Sequence, residues 1–280
     1  MPDTVVSHTL EVPGARIHYE VSGSGPVLML IGLPMDSTGF AQVVPLLAGR
    51  HTVVTYDPRG LGRSTIEDPE QDNTPQRCAD DVHRVLAAVT GEPADVVGSS
   101  GGAITGLALV TAHPGQVRTL VAHEPPLIEL LPDRAERRAE VDDIYRTYRA
   151  QGQGPAFAKF MAHVSGKPLT GRPAPPPGPA SQQAPPSAEQ LAMGERMLAH
   201  CMLPTTRYQP DLDALRATPT RIVVGVGKAT PGILPYRTAV TLAGRLGIEA
   251  DDFPGGHGGF AEEPGPWAET LDAILSGQRS

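Results

Sequence analysis

The stretch that decides the fold is "ADVVGSSGGAITGLAL", residues 94–109. An apolar run ends at Val97, five residues of only glycine and serine follow, and a second apolar run begins at Ala103. Gly98-Ser99-Ser100-Gly101-Gly102 fits the pattern G-x-S-x-G with Ser100 at its centre. A strand-like run before it and a helix-like run after it give the strand–turn–helix setting this pattern requires. A serine on so sharp a turn has strained backbone angles, and side chains two residues away on either side would collide. Glycine removes them. The helix that starts there directs free N–H groups toward whatever the serine attacks. The run has neither G-x-G-x-x-G nor a Walker lysine, which weakens a phosphate-binding reading. Ser99 lacks glycines at the right offsets.

Outward from this turn the chain alternates between strand and helix signals. "PVLMLI", "HTVVTYD", "ADVVG", "RTLVAHE" and "RIVVGVG" are continuous apolar runs, as expected of parallel strands covered on both faces. "SHTLEV" and "ARIHYEV" alternate instead, on either side of the Pro13-Gly14 turn signal. Val82, Val85, Leu86 and Val89 share a helix face behind Thr74-Pro75, a plausible cap and first helical position. Trp267, Leu271, Ile274 and Leu275 share another. The class is α/β. Between about residues 126 and 210 the alternation breaks. Phe157, Phe160, Met161 and Val164 make one helical stripe, and Met197, Leu198, Cys201 and Met202 make a second. Between them lies "KPLTGRPAPPPGPASQQAPPSAEQ", which is too poor in apolar surface to offset its ordering entropy. It is expected to be an extended, mobile linker inside a helical insertion.

Composition narrows the function classes. The chain has 280 residues, is 40% hydrophobic and carries 23 basic against 31 acidic side chains, a net charge of -8. With no basic block, nucleic acid is not an expected partner. Cys78 and Cys201 are the two cysteines. They form no disulfide framework and fit a reducing cytosol, so a cytoplasmic location is expected. The first residues read as no signal peptide, and the longest apolar run is too short to span a bilayer. No H-E-x-x-H or paired C-x-x-C suggests zinc. A homodimer is compatible with the sequence.

A neutral serine needs a base. His257, in "FPGGHGGFAEEPGPWAETL", sits in a glycine-rich loop between a short strand-like stretch and the last helix. Such a loop lets an imidazole reach over a sheet edge. Asp57, Arg59 and Arg63 in "YDPRGLGRS" read as a structural turn. Met35, Phe157, Phe160 and Met161 fit a pocket lining and core packing equally.

In these motifs the chain resembles the α/β-hydrolase fold superfamily. "VVGSSGG" matches its nucleophile elbow, "YDPRGLGRS" the segment after the fourth strand, "FPGGHGGF" the histidine loop, and "LIGLPMDS" the oxyanion loop. The resemblance implies an eight-stranded, mostly parallel sheet with an antiparallel second strand and flanking helices. It also implies a core of residues 1–125 and 211–280, a helical cap of 126–210, and no metal or organic cofactor. Two departures stand out. Ile31-Gly32 replaces the family's frequent His-Gly, leaving the oxyanion donors as the N–H groups of Leu33 and Gly101. The loop after the seventh strand, "KATPGILPYR", holds no carboxylate where many members carry the acid; Thr230 is polar but is no substitute. Glu124, directly after "RTLVAH", takes the position used by certain haloalkane dehalogenases and by lactonases acting on zearalenone. Neighbouring His123 is expected to point to the opposite side. The resulting expectation is a serine hydrolase with Ser100, His257 and Glu124, acting on a small or medium hydrophobic ester or lactone. The alternatives are other chemistry on the same triad (C–C hydrolysis, perhydrolysis or lyase activity) and a non-catalytic binding protein on this scaffold.

Overall fold

A computed structural model describes residues 5–165 and 187–277. The proline-rich stretch 172–186 lies outside the described residues. Among the described residues nine strands form one sheet: β1 Val6–Val12, β2 Ala15–Gly23, β3 Val27–Ile31, β4 Thr52–Tyr56, β5 Thr65–Ile66, β6 Ala94–Ser99, β7 Val117–His123, β8 Arg221–Gly227 and β9 Ala250–Phe253. Their order is β1-β2-β4-β3-β6-β7-β8-β9, with β5 against β2. β2 runs antiparallel to β1 and β4, and every pairing from β4 to β9 is parallel. The expected eight strands are therefore joined by a ninth. β5 is two residues long and pairs with Ala15 and Arg16, too short to leave a pattern in the sequence.

Apolar runs without alternation occupy the sheet's centre. All six residues of β6 are buried, whereas most of edge strand β1 is exposed. Successive side chains go to opposite faces. Met29, Ile31, Val54, Val96 and Leu120 pack on one side, and Leu28, Leu30, Val53, Val97 and Val121 on the other. Two short helical segments, η1 Ser37–Phe40 and α1 Val44–Leu47, link β3 to β4. α2 (Pro75–Val89) and α3 (Gly101–Ala112) cover the first face. α2 starts where the sequence signals it, with the Thr74 hydroxyl accepting the Arg77 N–H at 3.3 Å.

Between β7 and β8 lie α4 (Arg134–Gln151), α5 (Gln153–Ser165), α6 (Ala188–Arg196), a π-helical turn (Met197–Cys201), α7 (Met202–Thr206) and α8 (Leu212–Ala217). Val141, Ile144, Ala156, Leu198 and Met202 give this insertion an apolar cluster, which Leu234 joins from beyond β8. Arg196 ties it to the segment before α2. Its guanidinium donates to the Pro69 carbonyl at 2.6 Å, to Asn73 Oδ1 at 2.5 Å and to the Gln71 carbonyl. The stripe on α5 divides: Phe160 packs inward, while Phe157 is 44% exposed. After β8 come α9 (Leu234–Leu246), α10 (Gly259–Glu262) and α11 (Pro264–Leu275). Trp267 and Leu271 of α11 seal the second face. Among the described residues no helix is long and apolar enough to cross a membrane.

Candidate active site

Ser100 stands between β6 and α3 with φ 57° and ψ -123°, a region residues other than glycine rarely adopt. Its surroundings hold it there. The Ser100 N–H donates to the His123 carbonyl at 2.9 Å, and its own carbonyl accepts from Ala103 at 3.0 Å. The glycines are required by close backbone approach. A Cβ on Gly98 would lie 2.4 Å from the Gly102 carbonyl oxygen, and one on Gly102 would lie 2.1 Å from that of Ile31. Gly101 opens α3, so its N–H has no acceptor inside the helix. It packs against the Leu33 backbone, where an added Cβ would come within 2.7 Å of the carbonyl oxygen.

Ser100, Gly101, Leu33 and His257 line one cavity of about 330 Å³. Met35 joins them from the loop after β3. Phe160, Met161, Met197 and Met202 come from the insertion. Phe157 does not reach it among the described residues; its side chain is on the outer face of α5.

Glu124 lies below this cavity, fully buried at the end of β7, with φ 47°. Its N–H donates to the Gly225 carbonyl at 3.0 Å, which fixes the turn. The two carboxylate oxygens face different partners. Oε2 is 2.6 Å from His257 Nδ1. Oε1 accepts the Gly227 N–H at 3.0 Å and the Thr230 hydroxyl. Burial by itself would raise the Glu124 pKa, but the hydrogen bonds from His257, Thr230 and Gly227 together outweigh it and hold the group below its ordinary value. Thr230 thus has a part that sequence reasoning missed. The loop after β8 contributes no acid; it contributes the Thr230 hydroxyl that holds Glu124, together with the Gly227 N–H from the last residue of β8. The missing carboxylate in "KATPGILPYR" was the available signal.

The neighbouring groups are structural. His123 is closed to solvent and packs edge-on against Phe253 at 5.5 Å, on the α11 side of the sheet. Its ring centre is 6.4 Å from that of His257. Burial pushes its pKa down to about 4, so it is neutral at pH 7. Asp57 accepts the N–H groups of Ser37 at 3.0 Å and Arg63 at 2.8 Å. Arg59 forms a buried two-pronged pair with Asp81 at 2.8 and 2.6 Å. Both agree with a structural turn. Cys78 and Cys201 are free thiols that meet in one small buried cluster with Leu33 and Leu61. Among the described residues no group of three or more His, Cys, Asp or Glu is arranged to hold a metal ion.

Comparison with known proteins agrees with this architecture. The family model described as alpha/beta hydrolase fold matches residues 25–187. An uncharacterized hydrolase, YraK, of Bacillus subtilis (strain 168) is 32% identical over 290 residues, covering 99% of this chain and 98% of its own. A zearalenone hydrolase of Bionectria ochroleuca is 27% identical over 279 residues, covering 93% and 94%. Among solved structures, a thermophilic esterase from Thermogutta terrifontis superposes with a TM-score of 0.70 at 18% identity, covering 99% of this chain and 100% of that one. A family match over more than half of the sequence, and a relative aligned along nearly all of it, show that the chain belongs to the α/β-hydrolase family and is a hydrolase.

Proposed function

We propose that the protein is a serine hydrolase that cleaves a carboxylic ester or lactone through an acyl-enzyme. One observation carries the reading: Glu124 is hydrogen-bonded to His257, and His257 shares a cavity with Ser100 on its strained turn. An ionised carboxylate only accepts hydrogen bonds, so the Glu124 contact puts the ring proton on His257 Nδ1 and leaves Nε2 free as a base. His257 takes the Ser100 proton as Oγ attacks the acyl carbon, then returns it to the leaving alcohol. Glu124 holds the tautomer and stabilises the imidazolium. The N–H groups of Leu33 and Gly101 receive the oxyanion. Water repeats the sequence on the acyl-enzyme. The insertion acts as a cap, and its methionine and phenylalanine side chains favour a hydrophobic substrate. The likeness to an esterase and to a zearalenone hydrolase lends support to ester-bond cleavage.

The test is covalent labelling with an organophosphorus serine probe, followed by peptide mapping and turnover of a nitrophenyl ester. The label is expected on Ser100, and Ser100→Ala should lower kcat by roughly 10⁴–10⁶. An active preparation labelled at Ser99, or not labelled, would overturn the assignment.

A further inference from the structure

Two residues of the insertion that line the cavity each carry a buried side-chain atom with no hydrogen-bond partner among the described residues: Nε2 of His163 on α5 and Oγ1 of Thr205 on α7. Each residue is only 6% exposed. Met161, Met197 and Met202 line the same chamber. Buried polar groups are almost always paired, so two orphan atoms just behind the wall of one chamber call for a ligand group that reaches them.

Each atom's state follows from its surroundings. His163 Nδ1 lies 2.7 Å from Glu140 Oε2 on α4, and that carboxylate also accepts from Arg137 Nη1 at 2.8 Å. A carboxylate held by arginine is ionised and only accepts, so Nδ1 carries the ring proton. Burial lowers the His163 pKa more than the Glu140 contact raises it, which keeps the ring neutral. Nε2 is then a bare acceptor. Thr205 differs from its helical neighbours. Thr105, Thr111, Thr147, Thr206 and Thr241 each donate to the carbonyl four residues back. Thr205 follows the π-helical turn and makes no such bond. Its hydroxyl is free to donate. The methionines sharing the wall have flexible side chains able to move aside for a ligand.

An acceptor and a donor in one apolar chamber are satisfied together by a hydroxyl. Its proton goes to Nε2 and its oxygen accepts from Thr205. A carboxylate would meet the lone pair of Nε2, and a ketone would satisfy Thr205 alone. We propose that His163 and Thr205 form a specificity subsite for a hydroxyl group that the substrate carries away from its scissile bond. This rests on the ester-hydrolase reading of Ser100, and its test separates the two.

The probes are 4-nitrophenyl ω-hydroxyalkanoates and the matching unsubstituted alkanoates, six to ten carbons long. The readout is the ratio of kcat/KM within each pair. A second arm titrates Ser100→Ala by calorimetry with methyl 8-hydroxyoctanoate and methyl octanoate, which needs no turnover. At one or more chain lengths the hydroxylated ester is expected to be favoured by about tenfold or more. His163→Leu and Thr205→Val should each cut that ratio by about tenfold. Thr205→Val keeps the side chain's shape, so the test survives if the histidine variant fails to fold. No preference at any length, in turnover or in binding, would leave the two atoms to water and overturn the subsite. A preference that both variants retain would do the same. Preferential binding without hydrolysis of any ester would support the subsite and count against the proposed reaction.

Discussion

A carboxylate with no solvent contact is costly to ionise, yet Glu124 has its pKa held low by three donors, from the end of β8, the loop after it and the loop after β9. Each donor has a distinct effect on the chemistry. His257 is the group to be oriented, whereas Gly227 and Thr230 hold the acid that orients it. Glu124→Gln should keep the fold but remove the negative charge from beside the imidazolium, and an amide can also favour the wrong tautomer. A fall in kcat of roughly 10³–10⁴ is expected, by comparison with acid replacement in other triads. Thr230→Val removes one donor of three and should cost about tenfold, since a single hydrogen bond to a charged group is worth about 1.5–3 kcal/mol before the others compensate. Both are read as kcat on one nitrophenyl ester. A Glu124→Gln variant with nearly full activity would refute the assignment of the acid. At this scale the sequence was most informative where the signal is local. Ser100 and His257 sit among glycines that a short window reveals. Glu124 stood out only because the next loop lacks an acid. Its bond to Thr230 joins residues 106 apart, and nothing in either segment announces it.

The sharp turn between β6 and α3 is made by packing three backbone segments closer than a side chain permits. Gly102 shows this most clearly. The atom its Cβ would strike at 2.1 Å is the Ile31 carbonyl oxygen, part of a buried strand that cannot rotate away. Gly102→Ala should therefore lose at least about 1–3 kcal/mol to overpacking. Gly244 in α9 is a control, because beyond its own helix backbone and chain neighbours no atom lies within 4 Å of an added Cβ. Gly244→Ala should be neutral or stabilising, by up to about 1 kcal/mol, through helix propensity. Urea melts of the two variants measure the contrast, and equal effects would remove close approach as the reason for Gly102. Element type was readable where periodicity was long, as in α2 and the central strands. It failed where an element was short or irregular. Two-residue β5 carries no period, and the stripe Met197, Leu198, Cys201 and Met202, though buried as its spacing predicts, does not announce the π-helical turn at Met197–Cys201. Phe157 continued a stripe in sequence but turned outward, because apolar spacing does not say which neighbour a helix will have.

Across the whole molecule, chemistry is assembled from parts that the chain order separates, and buried charges hold several of the joints. Arg196 bridges the insertion to the segment before α2, and Asp57 clasps the loops after β3 and β4 through Ser37 and Arg63. The convergence of Cys78 with Cys201 in one cluster belongs to this scale too, and no spacing in the sequence implied it. These joints give stability a pH dependence whose sign can be worked out. Burial would raise the Asp57 pKa, but hydrogen bonds from Ser37 and Arg63 prevail and lower it, as those on Glu124 do for that group. In the unfolded chain both return to about 4. A carboxylate with a depressed folded-state pKa contributes stability that is present above the unfolded value. That contribution is lost as pH falls through the folded value, because the unfolded chain then binds protons the folded one excludes. Stability should decline from about pH 5 downward. Asp57→Asn tests the larger claim that loop-clasping carboxylates set this acid limb. Asparagine keeps one accepting oxygen but turns an NH₂ group toward Arg63. The variant should melt lower than the parent at pH 7 and lose less on going from pH 5 to pH 3, so the two curves of Tm against pH converge. Curves that stay parallel over that interval would show that Asp57 titrates alike in both states, and the acid limb would then have to come from other carboxylates.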